Sequence, residues 1–295
     1  MADGADPSVQ RRRIRVVLRS SREAAGFTQD AAAERLGWSP SKVVRAEAGL
    51  HGVSEQDLKA ALALYRVTDP DLVAELAAAA RGSRRHSWWH PYRGMVSPQF
   101  AQLLGHESQA ASVRACHPFL IPGLLHTREY AAALMSFYRD QERVREVIEL
   151  RMQRQARLRA NPAAEVAYVV GEEALHRWIG GPGVMRRQVE RLLAAGRDPN
   201  VTILVVPFTA GTHPGLQSPF TLLGLTEPEE ELLFIESVNG DRFFRDEPKL
   251  TAEYGDYFRA MSALALPQEE GNALLRDQAG RLRHAEEAGN DRAGR

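Results

Sequence analysis

GFTQDAAAERLGWSPSKVVRAEAG, residues 26–49, constrains the fold more tightly than any other stretch. It holds two short helical patterns, separated by Gly37 and by the start signal Ser39-Pro40. Glycine tolerates the left-handed conformation that often ends a helix. Ser39 can accept from the free N–H groups of a following helix, and Pro40 falls where a missing N–H costs nothing. The spacing predicts helices over 29–36 and 40–48. Helices this short cannot bury their apolar sides alone. Joined by a tight turn, they make a rigid corner that presents the second helix to a groove.

The rest of the chain is read around that corner. At 295 residues and 44% hydrophobic content there is room for two domains with real cores. The single cysteine, Cys116, excludes an internal disulfide and reads as a small buried hydrophobe. No run approaches the ~18 apolar residues of a membrane helix, so a cytoplasmic protein without a membrane partner is expected, nucleoid-associated when on DNA. Net charge is zero, yet residues 11–50 carry a balance of +5 and residues 94–295 one of −4. A basic end on a slightly acidic body suits a nucleic-acid-binding head attached to a separate effector domain.

Five segments follow. Residues 1–8 read as a disordered arm, 9–81 as a mainly α head of five helices, and 82–93 as a linker. Residues 94–285 read as an α+β domain for dimerisation, partner or effector sensing, and 286–295 as a disordered tail. In the head, Ile14, Val17, Leu18 and Ala24 form the stripe of the first helix, with Leu58, Ala61, Leu62 and Tyr65 inward on the fourth. In the second domain, Pro98 to Ser112, Thr127 to Phe137 and Gln141 to Ala160 read as helices. EVAYVV, VTILVVPF, PFTLLGL and ELLFIES read as strands of a small antiparallel or mixed sheet. One helix over 184–195 and two closing helices complete the expectation.

On the second helix of the corner, Val43 and Ala46 face inward, with Leu50 continuing the face, and Ala32, Ala33 and Leu36 pack opposite. Ser39, Pro40, Ser41, Lys42, Val44 and Arg45 are left toward double-stranded DNA. The planar fork of Arg45 can donate twice to a guanine edge, and Val44 suits a thymine methyl. Lys42 is read as a phosphate contact. So is Gln29, beside the helix N-terminus capped by Thr28. Arg22 and Glu47 are expected to form a structural ion pair where two helices cross.

Residues 14–66 resemble the lambda-repressor-like, xenobiotic-response-element (XRE) type of helix-turn-helix domain, carried by LRSSREAAGFTQDAAAERLGWSPSKVVRAEAG. The resemblance implies that Gln29, Ser41, Lys42 and Arg45 face DNA and that Arg22 with Glu47 is buried. That family usually has leucine where Ala33 stands, serine or threonine at Val44, isoleucine at Ala46 and arginine at Ala48. More loosely, WWHPY, FLIPGLLHTREYAAALM and PNVTILVVPFTAGTHPGLQSPFTLL are similar to the C-terminal domain of actinobacterial antitoxin-like regulators. This implies a small neighbour-encoded partner protein.

No catalytic, metal or cofactor site is expected. His86 and His90 are four apart, but Pro91 interrupts a helix there and no carboxylate or thiol completes a site. His213, in AGTHPGLQSPF, has no nucleophile or carboxylate at motif spacing and reads as part of a long turn. Trp88, Trp89, Tyr92, Phe119, Trp178 and Phe208 either line an effector pocket or form a core seam. The functional expectation is a homodimeric, sequence-specific transcriptional regulator, tuned by a small partner protein or a small-molecule effector. The competing expectation is an antitoxin-like module that sequesters a partner.

Overall fold

The computed structural model describes residues 6–49, 52–226 and 229–293. The chain divides into two compact units between Pro91 and Tyr92. The first is all-helical: α1 (Pro7–Ala24), α2 (Gln29–Leu36), α3 (Pro40–Ala48), α4 (Glu55–Leu64) and α5 (Pro70–Gly82). Ile14, Leu18, Ala32, Ala46, Leu58, Leu62 and Leu76 make its core. Each buried Leu or Ile stabilises it by about 1.5–3 kcal/mol, and the alanines let neighbouring helices approach closely. Ala24 is exposed, so the stripe of α1 ends at Leu18. Leu50 lies outside the described residues.

The first helix starts earlier than expected. Asp6 caps α1, accepting from Ser8 N–H at 2.9 Å, and Ser87 Oγ donates to the same carboxylate oxygen at 3.2 Å. Residues 6–8, expected as the end of a disordered arm, are therefore buried at a capped helix start; residues 1–5 lie outside the described residues. After α5, the described residues 83–97 contain one short helical element, the 3₁₀ turn His90–Tyr92.

The second unit runs α6 (Pro98–Glu107), β1 (Ser112–His117), α7 (Arg128–Leu134), α8 (Gln141–Arg159), β2 (Glu165–Gly171), α9 (Glu173–His176) and α10 (Pro182–Ala195). Then come β3 (Val201–Val206), β4 (Phe220–Thr226), β5 (Glu229–Ile235), β6 (Arg242–Phe244), α11 (Pro248–Leu264) and α12 (Gln268–Ala293). The six strands form one mixed sheet in the order β3-β2-β1-β4-β5-β6. β1, β2 and β3 are parallel, and β4, β5 and β6 pair antiparallel outward from β1. Parallel neighbours need long crossovers, which α7–α8 and α9–α10 supply.

Side chains alternate between two cores. Val113, Ala115, Val166, Tyr168, Leu223 and Phe234 face the larger one, with residues of α8, α10 and α12. Cys116, Val169, Phe220, Leu222 and Leu233 face a smaller one closed by Phe258 and Met261 of α11. Strands covered on both faces read as continuous apolar runs, which is why β2 and β3 stand out in the sequence.

Two strands, β1 and β6, depart from the expected set. β1, SVRACH, is the central strand, although Arg114 and His117 interrupt its apolar character. The helix expected to reach Ser112 ends at Glu107 to make room for it. Helix α12 continues to Ala293, so the expected disordered tail from 286 is helical up to that point; residues 294–295 lie outside the described residues.

Candidate nucleic-acid interface

The corner is built by its caps. Thr28 Oγ1 accepts from Ala31 N–H at 3.1 Å and starts α2. Gly37, at φ 65°, stops it in the left-handed conformation. Ser39 Oγ then accepts from Lys42 N–H at 3.3 Å, with Pro40 as the first residue of α3. Each cap contributes about 0.5–2 kcal/mol, so local chemistry alone sets the turn between the two helices.

Two tertiary devices hold α3 in place. Arg22 Nε donates to Glu47 Oε1 at 2.6 Å and Arg22 Nη2 to Glu47 Oε2 at 3.0 Å. Both side chains are buried, and Arg22 Nη1 also donates to the Phe27 carbonyl at 2.7 Å. Hydrogen bonding to Glu47 raises the Arg22 pKa above its ordinary value, outweighing the opposing effect of burial. At the other side, Lys42 Nζ donates to Asp57 of α4 at 2.7 Å and lies 4.2 Å from the Trp38 ring centroid.

The inward positions Val43 and Ala46 are buried, while Ser39, Pro40, Ser41, Val44 and Arg45 are exposed. Ser41 Oγ lies 3.1 Å from Ser39 Oγ. Val44 is 47% exposed, which is unusual for a branched apolar side chain on a short helix. The Arg45 guanidinium has no hydrogen bond or ion pair among the described residues. Arg35, exposed in the last turn of α2, shares that condition and was not singled out by the sequence.

Two of the expected DNA-facing side chains are engaged internally. Gln29 Nε2 donates to Glu47 Oε2 at 2.9 Å, so its amide braces the ion pair. Lys42 is half-buried between Asp57 and Trp38. Spacing cannot reveal either engagement, because Glu47 and Asp57 reach these side chains only once the helices cross.

The other candidates separate. His86 and His90 rings lie 3.8 Å apart between centroids, and no group of three or more potential metal ligands occurs among the described residues. His213 is buried with Nδ1 lacking a hydrogen-bond partner. Phe119, Trp178 and Phe208 are 46%, 53% and 54% exposed, so these three are not part of a core seam. Burial pushes the Cys116 thiol up to about 12, which keeps it in the unreactive protonated form. No described helix is long and apolar enough to cross a membrane.

Residues 13–76 match a helix-turn-helix domain family, which covers the corner and the helices packed on it. Residues 100–277, most of the second unit, match a family described as a domain of unknown function, DUF5753. No curated protein matches the chain, and no solved structure does.

Proposed function

The chain belongs to the DUF5753 family, and from that premise we propose that it is a sequence-specific, XRE-type transcriptional regulator that reads double-stranded DNA through α3 and is tuned through its second unit. The observation that carries this reading is the exposed face of α3. Val44 and Arg45 lie outward on a helix that is capped at both ends and tied to α1 and α4 by ion pairs. A guanidinium without an internal partner is available for the two acceptors of a guanine edge, and Ser39, Pro40 and Ser41 present the helix N-terminus to the backbone. Gln29 and Lys42 serve in this reading mainly to position α3.

The regulator acts as a cytoplasmic homodimer, because one short helix reads too few base pairs to select a site alone. Two copies would place their α3 helices about 34 Å apart along the duplex. The second unit performs no catalysis and receives either a small neighbour-encoded partner protein or a small-molecule effector. The internal engagement of Gln29 and Lys42 favours one alternative, an antitoxin-like role in which partner capture dominates and DNA binding is secondary.

Selection from a random DNA pool with the full-length protein tests the reading. Enrichment of a two-part site with half-sites one turn apart supports it. Failure to enrich any sequence, together with stoichiometric co-purification of a neighbour-encoded protein, replaces it with the alternative.

A further inference from the structure

The second unit contains a cavity of about 160 Å³ on the α8 side of the sheet. Its floor is one transverse row across four strands. Tyr168 pairs with Ala115, Ala115 with Thr221, and Thr221 with Phe234, and all four residues line the cavity. His117, two residues beyond Ala115 on the same face, ends β1. The cavity thus sits at the carboxyl end of β1, where the strand order turns from β2 on one side to β4 on the other. Open α/β sheets form ligand crevices at this kind of position.

Its charges are unevenly satisfied. Arg154 of α8 is paired within the fold, donating to Glu107 from Nε at 2.8 Å and from Nη2 at 2.7 Å. Arg151, one turn earlier on α8, has no carboxylate partner among the described residues. Its Nη1 donates to His126 Nδ1 at 2.8 Å, and His126 Nε2 donates to the Ile121 carbonyl at 2.7 Å. One ring nitrogen accepts and the other donates, which is the neutral form of histidine. His126 therefore aims the guanidinium without neutralising it, and burial draws the Arg151 pKa down to about 10.

Two carboxylates lining the same cavity make no ion pair with an arginine among the described residues. The nearest basic group to Glu236 is His117 at 3.8 Å, whose pKa burial lowers. Glu236 acts on Arg151 and Arg154 only through space, pushing both of their pKa values upward. Asp241 has no ion pair among the described residues, and burial raises its pKa. The lining also includes apolar Phe100, Leu134 and Phe234.

We propose that this cavity binds a free α-amino acid with an apolar side chain. The carboxylate is held by Arg151, the ammonium by Glu236 and Asp241, and the side chain by Phe100, Leu134 and Phe234. Glu236 and Arg151 attract each other through space but do not meet. A simple anion would therefore leave both acids without a hydrogen-bonded cation, and a simple amine would leave Arg151 without a hydrogen-bonded carboxylate. A zwitterion answers both. The volume is well below the ~300–1,000 Å³ of sites for drug-sized ligands, which excludes a nucleotide or a long peptide. Any consequence for DNA rests on the regulatory reading above, whereas occupancy of the cavity does not.

Calorimetric titration of the full-length protein without DNA tests this, using the apolar amino acids, the carboxylic acid lacking the amine of each, and the amine lacking its carboxylate. At least one amino acid should bind, with both truncated analogues weaker by about tenfold or more, the value of one charged hydrogen bond. Arg151→Met should abolish binding. Glu236→Gln, an isosteric change at a half-exposed side chain, should weaken the amino acid but leave the deaminated acid unchanged. Absence of binding by every amino acid overturns the proposal, as does equal binding of the deaminated acid, or an unaltered affinity in Glu236→Gln. Because DNA is absent, these results are independent of whether the head selects a DNA site.

Discussion

Glu47 accepts from Arg22 at both carboxylate oxygens, at 2.6 and 3.0 Å, with both side chains buried where α1 meets α3. Glu47→Ala strands a buried guanidinium and releases the Gln29 amide. The expected cost is about 3–5 kcal/mol, the usual penalty for removing one partner of a buried pair. Thermal melting, with amide exchange localised to α1–α3, measures it. A loss below about 0.5 kcal/mol, typical of an exposed pair, would show that the pair contributes little.

Arg45 and Lys42 should fail in different ways. Arg45→Ala is expected to erase preference at one base pair of the selected site, at about 1–3 kcal/mol. Lys42→Ala removes the bond to Asp57, so it should weaken specific and non-specific DNA alike by loosening α3. Quantitative footprinting on the selected site and on single-base variants distinguishes the two. Unchanged discrimination at every position in Arg45→Ala would remove Arg45 from the readout.

The second unit should lose stability in mild acid. Burial, reinforced by Arg151, lowers the His126 pKa to about 3, and burial also lowers that of His117. An unfolded chain protonates histidine near pH 6.5, at about the ordinary value. Because the folded values are lower, the unfolded state binds more protons below that pH. Stability is therefore full above about pH 6.5 and falls as the pH drops toward the folded values, by up to about 1.4 kcal/mol per pH unit for each histidine. Amide exchange in β1 and α8 at pH 7 and pH 5, corrected for intrinsic rates, reads this directly. Stability that holds or rises on acidification contradicts buried neutral histidines.

Gly171 closes β2 where the backbone passes close to the 118 loop, and an added Cβ would collide with the Pro118 carbonyl oxygen. Gly171→Ala should destabilise the second unit by about 1–3 kcal/mol, as overpacking does. Gly196→Ala is the control, since its nearest neighbour to an added Cβ is at 3.6 Å and its φ is −68°. Comparable melting of the two variants would mean the chain relaxes freely around residue 171.

The head was legible because its information is local. Thr28, Gly37, Ser39 and Pro40 act on backbone groups within three or four residues, so the corner and its outward positions follow from spacing alone. The strands β2 and β3 were legible for a related reason, since burial on both faces demands an unbroken apolar run. What a side chain meets across the fold was not legible. Gln29 and Lys42 have the chemistry of phosphate contacts, yet Glu47 and Asp57 arrive from other helices and engage them. β1 looks like a poor strand because Arg114 and His117 interrupt it. Those residues are affordable at the sheet's centre only because Glu231 answers Arg114 and the cavity receives His117. The sequence by itself determined the corner, the apolar strands and the division into a basic head and an α+β body. The tertiary structure alone decided which polar side chains are satisfied, because satisfaction depends on partners distant in the chain. It thereby left Arg45 outward on one unit and Arg151 inward on the other.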